Sequence, residues 1–157
     1  MVKEAILIRS NSDAVKVLGK WRNKRQENFL AITLNGNYKV IKIHHITKGL
    51  VNKTIVHPRE CFYPVIKDYA SAVIFAHNHP SGDVTPSNED KDIAERLNRA
   101  GVILGITVLD HLIICPSGDF YSFRHNGDIK DTYDDVDLDV FIANIKIDRY
   151  FNGGKDE

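Results

Sequence analysis

Apolar and polar positions change period several times along the chain, and each change marks an element. Ala5-Ile6-Leu7-Ile8 is a short apolar run that predicts an edge strand. Ser10-Asn11-Ser12-Asp13 offers capping side chains, and Ala14, Val15, Val17, Leu18 and Trp21 follow at helical spacing for two turns or more. The charged run Arg22 to Gln26 marks the exit. Glu27 to Leu34 reads as a strand, Asn35-Gly36 as a hairpin turn, and Tyr38 to His44 as an alternating return strand. After a loop at Lys48-Gly49, Thr54-Ile55-Val56 predicts a brief extended piece. Pro58 then opens a helix to about Tyr69, with Cys61, Phe62, Val65, Ile66 and Tyr69 on one face. Pro64 inside it is expected to bend or shorten it.

The second half begins with Ala72-Val73-Ile74-Phe75-Ala76, the pattern of a buried strand. A Pro- and Gly-containing loop leads to a helix from Ser87 to Ala100, with Ile93, Ala94, Leu97 and Ala100 as its buried stripe and Gly101 as its stop. Ile103 to Leu109 predicts another strand, followed by Asp110-His111 and the apolar Leu112-Ile113-Ile114-Cys115. Asp110 and His111 are expected to form a structural hydrogen-bonded pair. Pro116 to Asp119 is a turn and Phe120 to Phe123 a closing strand. From Arg124 the character changes. Asp131, Asp134, Asp135, Asp137 and Asp139 make an acidic stretch, and Val140-Phe141-Ile142 and Ile145-Lys146-Ile147 bring apolar residues back. Residues 1–123 are therefore expected to form the domain and 124–157 an acidic, then apolar, extension. Three fates stay open for it: packing back on the domain, pairing with a second subunit in a homodimer, or staying mobile.

A chain of 157 residues suits one domain with a sizeable core. The formal net charge is +0, so nothing demands nucleic acid or an anionic membrane as partner. The basic residues Lys16, Lys20, Arg22, Lys24 and Arg25 read as a solvated helix face. Two cysteines, Cys61 and Cys115, are too few for a disulfide scaffold or a cysteine-based zinc site, and both read as core. The start resembles no signal peptide and no apolar run is long enough to span a bilayer, so a cytoplasmic protein with reduced thiols is expected.

The candidate chemistry sits where the buried strand ends. Alternate strand residues share a side, so His77 and His79 point together off its C-terminal end. Asp90, in the first turn of the next helix, can swing back to them. Two imidazoles and a carboxylate are the ligand count of a catalytic zinc, whose fourth position is left to water. Ser87-x-x-Asp90 is also a good helix start, with Ser as cap and an acid in the first turn. The two readings are compatible, because a helix N-terminus favours an anion.

His-x-His-Pro, six residues, then Ser-x-x-Asp resembles the metal signature of the JAMM (MPN+, JAB) metalloprotease superfamily. The form His77-Asn78-His79-Pro80-Ser81-Gly82 is similar to its bacterial RadC-like branch. The resemblance covers about residues 10–123. It implies an α/β fold: the JAMM/MPN-type, cytidine-deaminase-like sandwich, a curved mixed β-sheet flanked by helices. It also implies a Zn2+ ion on His77, His79 and Asp90, and a catalytic glutamate upstream, for which Glu27 before its aromatic and apolar strand is the match. Glu60, early in a helix, is the competitor. Ser87 carries over as the hydroxyl that steadies a tetrahedral oxyanion. The implied reaction is metal-assisted hydrolysis of an amide in a peptide or isopeptide substrate, with Glu27 shuttling the proton.

Other classes were weighed against this one. A zinc deaminase needs a downstream Pro-Cys-x-x-Cys pair, which the two isolated cysteines exclude. RadC-like proteins carry a DNA-repair label, so an action on DNA is the alternative. The neutral charge speaks against it, as does a start close to the metallohydrolase core without a helix-hairpin-helix domain. A zinc-stabilised binding module would need a fourth ligand, for which Glu27 is the candidate.

Overall fold

The computed structural model describes residues 4–52 and 55–130. Its centre is a five-stranded mixed sheet in the order β2-β1-β3-β4-β5, made of β1 (Asn28–Leu34), β2 (Val40–Lys48), β3 (Ala72–Asn78), β4 (Thr107–Ile114) and β5 (Phe120–Ser122). Strand β1 pairs antiparallel with both β2 and β3, β3 pairs parallel with β4, and β5 closes antiparallel on β4. The parallel pair needs a crossover connection, and helix α3 (Asn88–Leu104) supplies it.

β1 and β3 are buried at every position, because apolar side chains alternate onto two covered faces. Phe29, Ala31, Val73, Phe75 and Val108 pack against Cys61, Phe62 and Val65 of α2 (Pro58–Lys67) and Ile93 and Leu97 of α3. On the other face, Leu30, Ile32, Ala72, Ile74, Leu112 and Ile114 pack against Ala14 and Leu18 at α1 (Asn11–Val17). This is an α/β fold with a mixed sheet flanked by helices, as the resemblance implies. The strand that carries the histidines is thereby the middle strand of the sheet.

Several local expectations are corrected. Residues 5–8 form no strand but a single bridge, Leu7 to Lys39. The hairpin is present, yet the left-handed position is Tyr38 at φ 59°, not Gly36; Asn35 Oδ1 holds the turn by accepting from the Asn37 and Lys39 amides at 2.9 and 3.0 Å. Ile55 lies in a turn, its amide donating to the Asn52 carbonyl, while Thr54 is outside the described residues. Ile66 on α2 and Tyr69 just beyond it are exposed (52% and 94%) rather than core. Pro64 is accommodated within the ten-residue helix, which ends at Lys67.

The largest correction is at the end of α3. Gly101 is buried inside the helix, where a Cβ would lie 2.7 Å from both the Ile106 carbonyl oxygen and Val108 Cγ2. The stop is Gly105, in the left-handed conformation at φ 71°. Ile103 and Leu104 are thus helical, and β4 instead runs through Asp110 and His111 to Ile114. Beyond β5, the Arg124 guanidinium donates to the carbonyls of Leu109 (2.6 Å) and Val108 (2.8 Å), and Ile129 is buried. The acidic and apolar stretch from Asp131 onward lies outside the described residues. No helix among the described residues is long and apolar enough to cross a membrane.

Candidate metal centre

His77 and Asn78 end β3 fully buried, and His79 follows directly, half-buried at the mouth of a cleft. Asp90 reaches them from the first turn of α3. That turn is fixed by a reciprocal capping box: the Asp90 amide donates to Ser87 Oγ at 3.0 Å, and the Ser87 amide donates to Asp90 Oδ2 at 2.9 Å. The cap thus aims the carboxylate. His77 Nε2 lies 3.4 Å from Asp90 Oδ1, and His79 Nε2 lies 3.3 Å from Asp90 Oδ2. The two Nε2 atoms are 3.1 Å apart, and all three ligand atoms fall within 4.8 Å of one another.

This donor set fits a metal ion. Two imidazole nitrogens at 3.1 Å can share at most one hydrogen between them, and both face one buried carboxylate. The far nitrogens are already engaged. His79 Nδ1 donates to the Asp83 carbonyl at 2.8 Å, which leaves the Nε2 lone pair toward Asp90. His77 Nδ1 lies 2.9 Å from His111 Nε2. In the metal-free chain Asp90 is held well below the usual carboxylate range: burial pushes it up, but the bonds from His77 and His79 outweigh that. Burial would lower the His79 value; the bond to Asp90, the Asp83 carbonyl and the charge of Glu27 raise it.

Glu27 precedes β1 beside this cluster. Its carbonyl accepts from the Gly49 amide and its Oε2 from the Val51 amide, both at 2.8 Å, so loop 49–51 holds it. A cleft of about 510 Å3 is lined by Glu27, His79, Ser87 and Asp90. Its polar groups converge, which a larger groove of about 990 Å3 between α2 and α3 does not offer. Glu60, the competing acid, lines that other groove. Size alone would favour the groove, but chemistry needs convergent polar groups, so the smaller cleft is the candidate.

Two buried residues support the cluster without being legible as such in the sequence. Asn78, between the histidines, accepts from the Asn28 amide at 2.7 Å and donates to the carbonyls of Gln26 (3.0 Å) and Lys24 (3.3 Å), clamping the segment that carries Glu27. Asp110 and His111 form the expected hydrogen-bonded pair, through the His111 backbone amide rather than its ring. Asp110 accepts from the His111 backbone amide, from Ser122 Oγ and from the Arg124 amide, while the His111 ring turns to His77. Burial, followed by the charge of His77, pushes His111 well below its ordinary value. The Asp-His dipeptide was the available signal, but its partner depends on strand register.

Comparison with known proteins shows the family. The chain matches the RadC-like JAB domain family over residues 8–128 and belongs to that family. It is 50% identical over 106 residues to a UPF0758 protein of Trichlorobacter lovleyi, covering 68% of this chain and 46% of that protein. It is 48% identical over 107 residues to one of Geobacter sulfurreducens (68% and 46%), and 46% identical over 112 residues to one of Staphylococcus haemolyticus (71% and 49%). The chain spans about half the length of the curated relatives it matches.

Proposed function

We propose that this chain is a zinc-dependent metallohydrolase that cleaves an amide bond in a peptide or isopeptide substrate. The observation that carries the reading is the convergence of His77 Nε2, His79 Nε2 and the Asp90 carboxylate within 4.8 Å. They lie beside a cleft that Glu27 and Ser87 also line. His77, His79 and Asp90 would hold the ion. When bound, zinc supplies a Lewis acid and brings the pKa of a coordinated water from 15.7 to about 7.

The chain's own groups do the rest. Glu27 accepts a proton from the attacking water and hands it to the leaving amine. Its Oε2 is held by the Val51 amide, so Oε1 is the oxygen for that exchange. Ser87 Oγ spends a lone pair on the Asp90 amide, which leaves its hydrogen for a developing oxyanion. Capping and catalysis are therefore compatible uses of one hydroxyl.

Elemental analysis of the unmodified chain, His79→Ala and Glu27→Ala tests the ligand set. About one zinc per chain is expected in the first and third, and little in the second. Loss in both variants would make Glu27 a ligand and favour a closed, structural site in a binding module. Peptide and isopeptide substrates then test the reaction. Action on DNA is the second reading: Lys20 and Lys24 lie 5.3 and 5.9 Å over the Trp21 ring, with Arg25 and Lys48 beside them. Cleavage of plasmid or single-stranded DNA, lost in His79→Ala, would favour it.

A further inference from the structure

We propose that His111 is a positioning residue that sets the tautomer of His77 and so turns its Nε2 lone pair toward the ion. The inference rests on zinc being held by His77, His79 and Asp90. The two histidines differ in how their far nitrogens are held. The partner of His79 Nδ1 is a carbonyl, which can only accept, so its tautomer is decided by the backbone. The partner of His77 Nδ1 is another imidazole nitrogen, 2.9 Å away, which can accept or donate. If His111 Nε2 donated, the His77 hydrogen would sit on Nε2, in the gap between His79 and Asp90, where it blocks coordination. Only with His111 as acceptor is His77 a ligand.

That assignment fixes the other hydrogen as well. With Nε2 accepting, the His111 hydrogen lies on Nδ1, a buried atom without a hydrogen-bond partner among the described residues. Its ring packs 4.7 Å from Phe123 and 5.4 Å, edge-on, from Phe29. Sheet register makes the contact: His111 pairs with Phe75 and Ile113 with His77, so both rings stand on one face of adjacent parallel strands.

The test is histidine nitrogen NMR on the zinc-loaded full chain, together with zinc affinity by chelator competition in His111→Leu and His111→Gln. The expected spectrum has His77 protonated at Nδ1 and coordinated at Nε2, and His111 protonated at Nδ1. Leu removes the acceptor and should weaken zinc binding about 10–100-fold. Gln, whose Oε1 can replace Nε2, should stay within a few-fold of the unmodified chain. A zinc-loaded spectrum with the hydrogen on His111 Nε2 overturns the proposal, as does a folded His111→Leu chain that binds zinc normally. If the Leu variant fails to fold, the spectrum of the unmodified chain still decides. Absence of zinc uptake by the unmodified chain would overturn the metallohydrolase reading as well, so the two failures are distinguishable.

Discussion

Two places among the described residues bring a histidine ring against an aspartate carboxylate, and they differ in chemical openness. At α2's end, His44 Nε2 lies 2.6 Å from Asp68 Oδ2, and Thr33 Oγ1 donates to the same oxygen at 2.7 Å while accepting the Lys42 amide. Each contact joins a donor to an acceptor, and the cluster fastens α2 to β1 and β2. At the C-terminal end of β3, two imidazole nitrogens and a carboxylate face one another at 3.1–3.4 Å, too many lone pairs for the hydrogens available. The same residue types make a fastener in one place and a cation site in the other. What separates them is the second imidazole and a helix start that aims the acid.

The sharpest way to break this comparison is to remove one imidazole from each. His79→Ala should abolish zinc uptake and hydrolysis together, while His44→Ala should leave zinc content unchanged; equal zinc loss in both would end the distinction. Next in size, Glu27→Gln should retain zinc yet lower turnover by about 10²–10⁴-fold, the span of a lost general base. Unchanged turnover would remove Glu27 from the mechanism.

Acid should separate the clusters too. The raised His79 value means that, without metal, its protonation adds stability that is full below about 6.5 and lost as pH rises through the folded value. Zinc reverses the sign, because it needs the neutral ring: affinity should fall as pH drops through that value. Asp68 behaves differently. Burial pushes its carboxyl up, but the bonds from His44 and Thr33 outweigh this and hold it low. Its contribution is present above about 3.9 and lost only as pH falls through the lower folded value. Melting curves from pH 8 to 3, with and without zinc, should show zinc stabilisation vanishing first. A single shared acid transition would contradict this.

How much of this was legible in the sequence follows the range of the interactions. His77, His79, Ser87 and Asp90 lie within fourteen residues, so local pattern and capping chemistry placed them together. Glu27 is fifty residues from His77 and was placed by family resemblance. The end of α3 departs from its sequence pattern, in which Gly101 looks like a stop and Ile103-Leu104 like a strand start. Close packing on β4 explains the first, and helical spacing up to the left-handed Gly105 explains the second. The His77–His111 contact was invisible because it depends on the register of two parallel strands joined by a helix. The clamp of Asn78 on residues 24–28 was equally hidden, because it depends on β1 pairing with β3.

The smallest expected effect returns to the closed cluster. His44→Ala removes one hydrogen bond but leaves Asp68 its bond from Thr33, and the Asp68 side chain keeps some solvent access (15%). No buried charge is orphaned, so the cost should be about 1 kcal/mol, the net worth of an ordinary hydrogen bond. Thr33 is fully buried, and Thr33→Val strips Asp68 of a donor and the Lys42 amide of its side-chain acceptor, so it should cost somewhat more. Because both variants act on one oxygen, their combined cost in urea unfolding should differ from the sum of the singles. Strict additivity would contradict a shared oxygen, and any change in zinc content would show that the fastener and the metal corner are not the separate devices the geometry makes them.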